Sequence, residues 1–202
     1  MSNYLPDFWN ERYSSSEYVY GKEPNEYLKS KLDKLMPGKI LFPCEGEGRN
    51  SVYAASRGWD SHCFDSSSEG RKKALILAEE RNLTINYLIY GVKDYPYKEE
   101  EFDAVGIFYA HMPSSIRKNF HNDLIRSVKS GGIIILEAFH KDQLGRPSGG
   151  PKDIDMLYTA EDLGDDFSGA KVLELKKEIV NLKEGKFHEG EACVVRLYAR
   201  KG

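Results

Sequence analysis

A short segment rich in glycine and polar residues lies between a predicted apolar strand and a predicted helix. The strand spans Lys39–Phe42 and leads into Gly46-Glu47-Gly48-Arg49-Asn50. Glycine has no Cβ, so the backbone can approach a ligand closely, and the next helix offers unpaired N–H groups at its N-terminus. Asp65 lies 17 residues after Gly48, at the end of the next predicted strand, where a carboxylate can accept two hydrogen bonds from ribose hydroxyls. The pattern predicts a site for a ligand that contains a nucleoside.

Two features indicate which kind of nucleoside ligand the site would bind. A nicotinamide dinucleotide site takes a third glycine at position 51, which is Ser51 here, and this side chain would crowd the helix against the strand. Aromatic faces attract a desolvated cation by roughly 0.5–2 kcal/mol each. The segment before the first strand is unusually aromatic, with Tyr4, Phe8, Trp9, Tyr13, Tyr18, Tyr20 and Tyr27. A sulfonium nucleoside is therefore favoured, and an NAD(P)-dependent oxidoreductase is the less favoured alternative.

The elements that must position these residues alternate regularly along the chain. Strands are predicted at 39–42, 61–64, 86–90, 102–109 and 133–139, and helices at 51–57, 69–82 and 114–128, with a tight turn over Lys129–Gly132 before the fifth strand. Such alternation indicates a parallel sheet covered on both faces. Val172–Leu182 and Ala192–Arg200 are predicted to form an antiparallel hairpin. The fold class is therefore α/β: a doubly wound, mostly parallel, Rossmann-like sheet with an antiparallel C-terminal hairpin.

Residues 1–37 are predicted to be an aromatic helical segment that closes over the ligand as a lid. Asn25 is suited to cap a helix with Leu28, Leu32 and Leu35 on one face, and Pro37-Gly38 ends it. We call residues 1–37 the leader.

Length and composition predict a single globular domain over residues 1–202, of which 40% are hydrophobic and 30% charged. The net charge of -3 leaves no basic excess to neutralise phosphates, which argues against a nucleic-acid partner. The apolar runs, such as Ile133–Leu136, are far shorter than the roughly 20 residues that cross a bilayer, and residues 1–6 show no export signal. Three scattered cysteines (Cys44, Cys63 and Cys193) argue against a disulfide framework or a zinc site. We therefore expect a cytoplasmic protein, monomeric or homodimeric, with no metal.

The sequence resembles the class I S-adenosylmethionine-dependent methyltransferases, and within them the tellurite-resistance and thiopurine methyltransferase-like group. The resemblance covers nearly the whole chain. The segments that carry it are Phe8–Tyr13, Tyr20–Asn25, Gly46–Asn50, Asp65, Phe102–Val105, Gly131-Gly132, Gly149–Pro151 and Tyr198–Lys201. The resemblance implies a seven-stranded sheet whose last strand is antiparallel.

The resemblance also implies where S-adenosylmethionine binds. It places the donor over Glu45, Gly46 and Gly48, with the ribose on Asp65 beside Ser66 and the adenine beside Val92 and Lys93. It places the methionine end of the donor near Trp9, Tyr13, Tyr20, Arg49 and Asn50.

Three positions depart from the usual motifs of these enzymes. An acid after the first strand, a glycine two positions later and an acid after the third strand are replaced by Phe42, Cys44 and Gly91. A domain that binds the donor without catalysis is the alternative that these departures leave open.

Candidates for the acceptor side lie after the later strands. They are Tyr109 and His111 after the fourth strand, Glu137 and His140 around the fifth, and His188 in the terminal hairpin, where the resemblance pairs it with Arg196. Methyl transfer to a soft nucleophile needs alignment and exclusion of water, and a base only when the acceptor arrives protonated. We predict methyl transfer to a small molecule (a thiol, a chalcogen oxyanion or similar) by in-line displacement, with Tyr109, His111 and His188 as the catalytic candidates.

Overall fold

A seven-stranded sheet organises the part of the chain that the structure describes. The computed structural model describes residues 6–202, and Tyr4 of the leader lies outside the described residues. The strands are β1 (Lys39–Pro43), β2 (Asp60–Asp65), β3 (Asn86–Ile89), β4 (Phe102–Phe108), β5 (Val128–Phe139), β6 (Ala170–Lys183) and β7 (Glu189–Lys201). The helices are α1 (Pro6–Tyr13), α2 (Glu26–Leu32), α3 (Arg49–Ser56), α4 (Ser68–Glu80), α5 (Ser114–Ser127) and α6 (Ala160–Asp166), with short 3-10 helices at Lys141–Gln143 and Ile154–Met156.

The strand order in the sheet is β3-β2-β1-β4-β5-β7-β6. β2 runs parallel to β1 and β3, and β4 runs parallel to β5. β7 runs antiparallel to both β5 and β6. The predicted mostly parallel sheet with an antiparallel C-terminal hairpin is confirmed.

Burial of the strands explains why the central ones read as continuous apolar runs. Ile40, Leu41 and Phe42 of β1 and residues 134–136 of β5 are fully buried, as expected for strands covered on both faces. β6, at the edge of the sheet, carries charged and mostly exposed side chains, which discourage another chain from pairing with an open edge.

The described chain falls into two compact units. The first runs to Pro96 and includes the segment Glu184–Phe187; the second comprises Tyr97–Lys183 and His188–Gly202. The prediction of a single domain stays a prediction. Residues 6–202 contain no helix with the length and apolarity needed to cross a bilayer.

The leader is helical only in part, which corrects the sequence prediction. Between α1 and α2, residues 14–25 form bends and turns, and α2 ends at Leu32, before Leu35. Asn25 caps α2 as predicted, since its side chain accepts a hydrogen bond from Leu28 N–H. The irregular part is held by side chains from elsewhere in the chain, which local periodicity does not reveal.

The predicted turn at Lys129–Gly132 is instead part of β5. The strand begins at Val128, directly after α5, and its pairing with β4 shifts register between Phe102 and Ala104. Gly131 adopts a φ of +79°, which glycine accepts without strain. The four residues of the predicted turn therefore lie within an irregular part of β5.

Candidate active site

Asp65 stands at the end of β2 and holds the loop that follows β1. Its Oδ2 accepts a hydrogen bond from Gly46 N–H at 3.0 Å, and its Oδ1 accepts one from Ser67 N–H at 2.8 Å. Burial raises the pKa of Asp65 to about 6, while the N–H groups of Ser67, Gly46 and Ser66 oppose that rise by stabilising the carboxylate. Ser66 therefore acts through its backbone at this site. A carboxylate can accept about four hydrogen bonds, so Asp65 retains acceptor capacity.

The two glycines of the loop make room for the protein's own side chains, and their predicted role in donor binding stays a prediction. A Cβ on Gly46 would lie 2.6 Å from the hydroxyl oxygen of Tyr13, and a Cβ on Gly48 would lie 2.5 Å from Ala74 Cβ in α4. Gly48 also has a φ of +88°. Close packing by Tyr13 and by α4 therefore requires glycine at these positions.

Three predicted donor-binding aromatics form one cluster beside this loop. The rings of Trp9 and Tyr13 are stacked at 5.5 Å, and Tyr20 meets Tyr13 edge-on at 6.4 Å. Tyr13 is buried, and burial followed by the charge of Asp65 raises its pKa well above the usual value, so its hydroxyl stays protonated. The cluster offers neutral aromatic faces, which suit a cation.

An acidic residue between the two glycines ties the irregular part of the leader to the loop. The buried Glu47 carboxylate accepts hydrogen bonds from Val19 N–H at 3.1 Å and Tyr20 N–H at 3.2 Å. Lys73 of α4 lies 2.5 Å from Glu47 and also donates to the Ser15 carbonyl. Sequence reasoning missed this anchor because no local pattern links residues so far apart in the chain.

The fold accommodates the positions that depart from the usual motifs of the methyltransferases that the sequence resembles. Phe42 is fully buried in the core. Cys44 has a φ of +53°, in the left-handed region where glycine is favoured. Glu45 accepts a hydrogen bond from Ser51 N–H at 2.6 Å near the start of α3, and desolvation raises its pKa to about 7. The Glu45 carboxylate therefore satisfies an N–H group that sequence analysis assigned to ligand binding.

The first two residues of α3 are bound by partners that the sequence did not suggest. Arg49 Nη2 lies 2.8 Å from Oε2 of Glu184, and Asn50 Oδ1 accepts a hydrogen bond from Asn25 N–H at 2.9 Å. Glu184 belongs to the segment between β6 and β7, 135 residues from Arg49.

The predicted adenine residues lie in a turn after β3. Val92 is half-buried and Lys93 is exposed, and the turn is closed by Asp94 N–H donating to the Gly91 carbonyl at 3.0 Å. Nearby, the ring of Tyr95 stacks on Phe64 at 4.1 Å. Adenine binding at Val92 and Lys93 stays a prediction.

A chain of polar contacts in the second unit includes several acceptor-side candidates. Tyr109 donates its hydroxyl hydrogen to Glu137 Oε1 at 2.8 Å, and the other oxygen of the buried Glu137 accepts from Arg196 Nε at 2.5 Å. Arg196 also pairs with Glu178. Two carboxylates thus surround one guanidinium, and the cluster carries no excess positive charge.

The two predicted catalytic histidines have different surroundings. His188 is buried, with its ring edge-on to Tyr109 at 4.4 Å and to Phe139 at 5.1 Å. Nδ1 of His111 lies 2.7 Å from the Met156 carbonyl, so it must carry the hydrogen, while Nε2 accepts from Phe139 N–H at 3.2 Å. Burial lowers the pKa of His111 to about 4. Both nitrogens therefore bind the backbone, and the catalytic role of His111 stays a prediction.

A group of possible metal ligands lies beside this cluster. Atoms of His140, Asp142 and Cys193 lie within 4.8 Å of one another. Asp142 is already paired with Lys177 at 2.8 Å, and His140 Nδ1 accepts from Asp142 N–H at 3.0 Å. Two of the three residues are therefore engaged by protein contacts, and the absence of a metal remains a prediction.

Comparison with known proteins relates this arrangement to a family. Residues 40–132, which include the glycine loop and Asp65, match the methyltransferase domain family. No curated protein matches the chain.

Solved structures of other proteins share the fold. One, described for the conversion of a disulfide bond into a thioacetal group during echinomycin biosynthesis, has a TM-score of 0.77 at 15% identity, covering 97% of this chain and 92% of that chain. TehB from Haemophilus influenzae has a TM-score of 0.72 at 16% identity, covering 98% and 67%. A SAM-dependent methyltransferase from Methanosarcina mazei has a TM-score of 0.70 at 14% identity, covering 89% and 98%. At these identities the likeness establishes the fold.

Proposed function

We propose that the chain is an S-adenosylmethionine-dependent methyltransferase that transfers the donor's methyl group to a small-molecule acceptor by in-line displacement. When bound, S-adenosylmethionine supplies an electrophilic methyl group on a sulfonium. The residues of the chain bind and orient the two reactants and exclude water. Membership of the tellurite-resistance and thiopurine methyltransferase-like group is supported by the sequence segments quoted above and by the similarity to TehB.

The hydrogen bonding of Asp65 is the observation that supports the proposed donor site. Its carboxylate is fixed by Gly46 and Ser67 and retains capacity to accept hydrogen bonds from two ribose hydroxyls. The aromatic cluster of Trp9, Tyr13 and Tyr20 suits the sulfonium, since desolvated aromatic faces attract cations. These residues fit the donor, and the leader that carries the aromatics is proposed to act as the lid.

The charge of the cluster in the second unit favours a thiol over an oxyanion as acceptor. Arg196 is already paired with Glu137 and Glu178, and Lys176 is paired with Glu178, so an oxyanion such as tellurite or selenite would have to compete with these carboxylates for the cations. A neutral thiol needs no cation. The similar structure linked to conversion of a disulfide into a thioacetal is also concerned with sulfur chemistry.

His188 is the proposed base. His188 would take the proton of a thiol acceptor, and the resulting thiolate would displace the donor's sulfur from the methyl carbon that a bound donor supplies, leaving that sulfur with the electron pair. Tyr109, held by Glu137, lies against the His188 ring and positions it.

The donor site is tested by titration calorimetry with S-adenosylhomocysteine between pH 5 and 8. Because the pKa of Asp65 is raised to about 6, we expect the affinity to fall as the pH drops through 6 and the carboxylate is protonated. Asp65→Asn should weaken binding roughly 10- to 150-fold at pH 7.5, since a hydrogen bond to a charged group contributes about 1.5–3 kcal/mol. The variant should also lose the part of the pH dependence centred near 6, whereas the part near 7 that comes from Glu45 should remain.

Asp60→Asn, the same change at the exposed start of β2, is the matched control and should bind like wild type. NADH should produce no binding heat. Equal affinities for wild type and Asp65→Asn at pH 7.5 would refute the ribose role. Mass spectrometry of reactions with thiols, tellurite and selenite then tests the acceptor, and methylation of oxyanions alone would contradict the preference for thiols.

A further inference from the structure

The turn between β6 and β7 packs into the first unit, against the leader. Gly185 has a φ of +88°, and a Cβ there would lie 2.6 Å from the Val19 carbonyl oxygen and 2.8 Å from Gly21 N. Two residues on, the ring of Phe187 lies under the guanidinium of Arg12, 4.3 Å from its centroid. The turn therefore contacts both α1 and the irregular part of the leader.

Glu184 begins this turn and bridges two residues of the donor-binding region. One carboxylate oxygen lies 2.8 Å from Arg49 Nη2, and the other accepts a hydrogen bond from Asn25 Nδ2 at 3.0 Å. The side chains of Arg49 and Glu184 are only 8% and 9% exposed. Pairing at this depth keeps each charge from being buried alone, which is strongly unfavourable.

These contacts form a closed set around the start of α3. Asn25 caps α2 through its side-chain oxygen and donates its backbone N–H to Asn50, the neighbour of Arg49. Glu184 thus holds Arg49 directly and Asn50 through Asn25. Arg49 directly follows Gly48, so its long side chain starts at the donor loop, and an ion pair removes most of its rotational freedom.

We propose that Glu184 is a positioning residue for the donor, which orients Arg49 toward the carboxylate of its methionine end. The inference rests on the proposed function, because it takes Arg49 as a donor contact. The role belongs to the β6–β7 turn, a part of the chain that the sequence analysis assigned to the acceptor side through His188.

Two ligands that differ only at the methionine end test this role. S-adenosylhomocysteine carries the amino and carboxylate groups, whereas 5′-methylthioadenosine has the same nucleoside without them. Glu184→Gln keeps the size of the side chain but removes its charge. We expect it to weaken S-adenosylhomocysteine binding about tenfold in calorimetry and to leave 5′-methylthioadenosine binding unchanged.

Glu189→Gln is the matched control, because it makes the same change on the same hairpin at an exposed position. It should leave both affinities at wild-type values. The melting temperature of each ligand-free variant is measured alongside, since a merely structural role lowers the melting temperature without distinguishing the two ligands.

Equal weakening of both ligands would overturn the inference, because Glu184 would then act on the whole leader and not through Arg49. Unchanged affinities would overturn it as well, and tighter S-adenosylhomocysteine binding would show that Glu184 competes with the donor for Arg49. If wild type binds neither ligand, the donor assignment itself fails, and the inference with it. If Glu184→Gln does not fold, Glu184→Asp keeps the charge on a shorter arm and should show the same selective loss, smaller in size.

Discussion

At the scale of single residues, the same side chain serves different purposes according to its hydrogen bonds. His111 and His188 both lie among aromatic rings in the second unit, and sequence alone ranks them equally. His111 is fixed in one neutral tautomer by the Met156 carbonyl and the Phe139 N–H group. Such long-range partners leave no trace in the local sequence.

We expect His188→Gln to lower kcat for a thiol acceptor by about 10²–10⁴-fold at pH 7, the usual contribution of a positioned base. The loss should shrink as the pH rises past about 8.5, where the free thiol ionises without help. Steady-state kinetics from pH 6.5 to 9.5 would measure it. His62→Gln, a histidine on β2, serves as the control, and a deficit in His188→Gln that does not change with pH would exclude the base role.

At the scale of elements, the contact of the glycine loop with α4 determines which substitutions the fold tolerates. A Cβ on Gly48 would meet Ala74, and the φ of +88° adds strain. Gly48→Ala should therefore lower the free energy of unfolding by about 1–3 kcal/mol from backbone strain alone, with a further loss from the contact. Urea denaturation measures this change.

Gly145→Ala separates the two causes. Gly145 has nearly the same φ, +86°, but nothing lies within 4 Å of the position of its Cβ. Gly145→Ala should therefore lose stability from backbone strain alone. Gly48→Ala should lower the free energy of unfolding clearly more, because its Cβ also meets Ala74. Equal losses of unfolding free energy in the two variants would show that α4 moves aside for the new Cβ without an energetic penalty.

The elements themselves were predictable where burial follows a period. β1, β4 and the second half of β5 read as apolar runs because both faces are covered, and α5 shows the i, i+4 spacing of a half-buried helix. Residues 14–25 were predicted wrongly because Glu47 and Lys73 hold them through backbone groups. Asp65 was found because it ends a strand; Glu184 was not, because its partners lie 135 and 159 residues away.

At the scale of the whole molecule, buried carboxyl groups and buried histidines change the free energy of unfolding with pH in opposite directions. The pKa of Glu45 is raised to about 7 and that of Asp65 to about 6, so the folded state holds their protons and gains stability as the pH falls from 7 toward 5. Burial lowers the pKa values of His111 and His121, so their contribution is complete above about 6.5 and is lost as the pH falls. The two trends oppose each other in the wild-type protein.

Replacing Glu45 and Asp65 should reveal the loss of stability on acidification that the histidines cause. The double variant Glu45→Gln, Asp65→Asn should lose free energy of unfolding on acidification from pH 6 to pH 5 more steeply than wild type, by roughly 1–2 kcal/mol per pH unit. Urea denaturation at pH 5, 6 and 7 measures the two slopes. Parallel slopes would mean that the two carboxyl groups titrate alike in the folded and unfolded chains.

The place of Glu184–Phe187 in the first unit has a consequence for how the protein is made. Asn25 and Arg49 leave the ribosome long before residue 184 is synthesised, so the nascent N-terminal region lacks the acid that neutralises its buried guanidinium. The first unit can be completed only after residues 184–187 have been translated. The order of synthesis and the order of final assembly therefore differ in this protein.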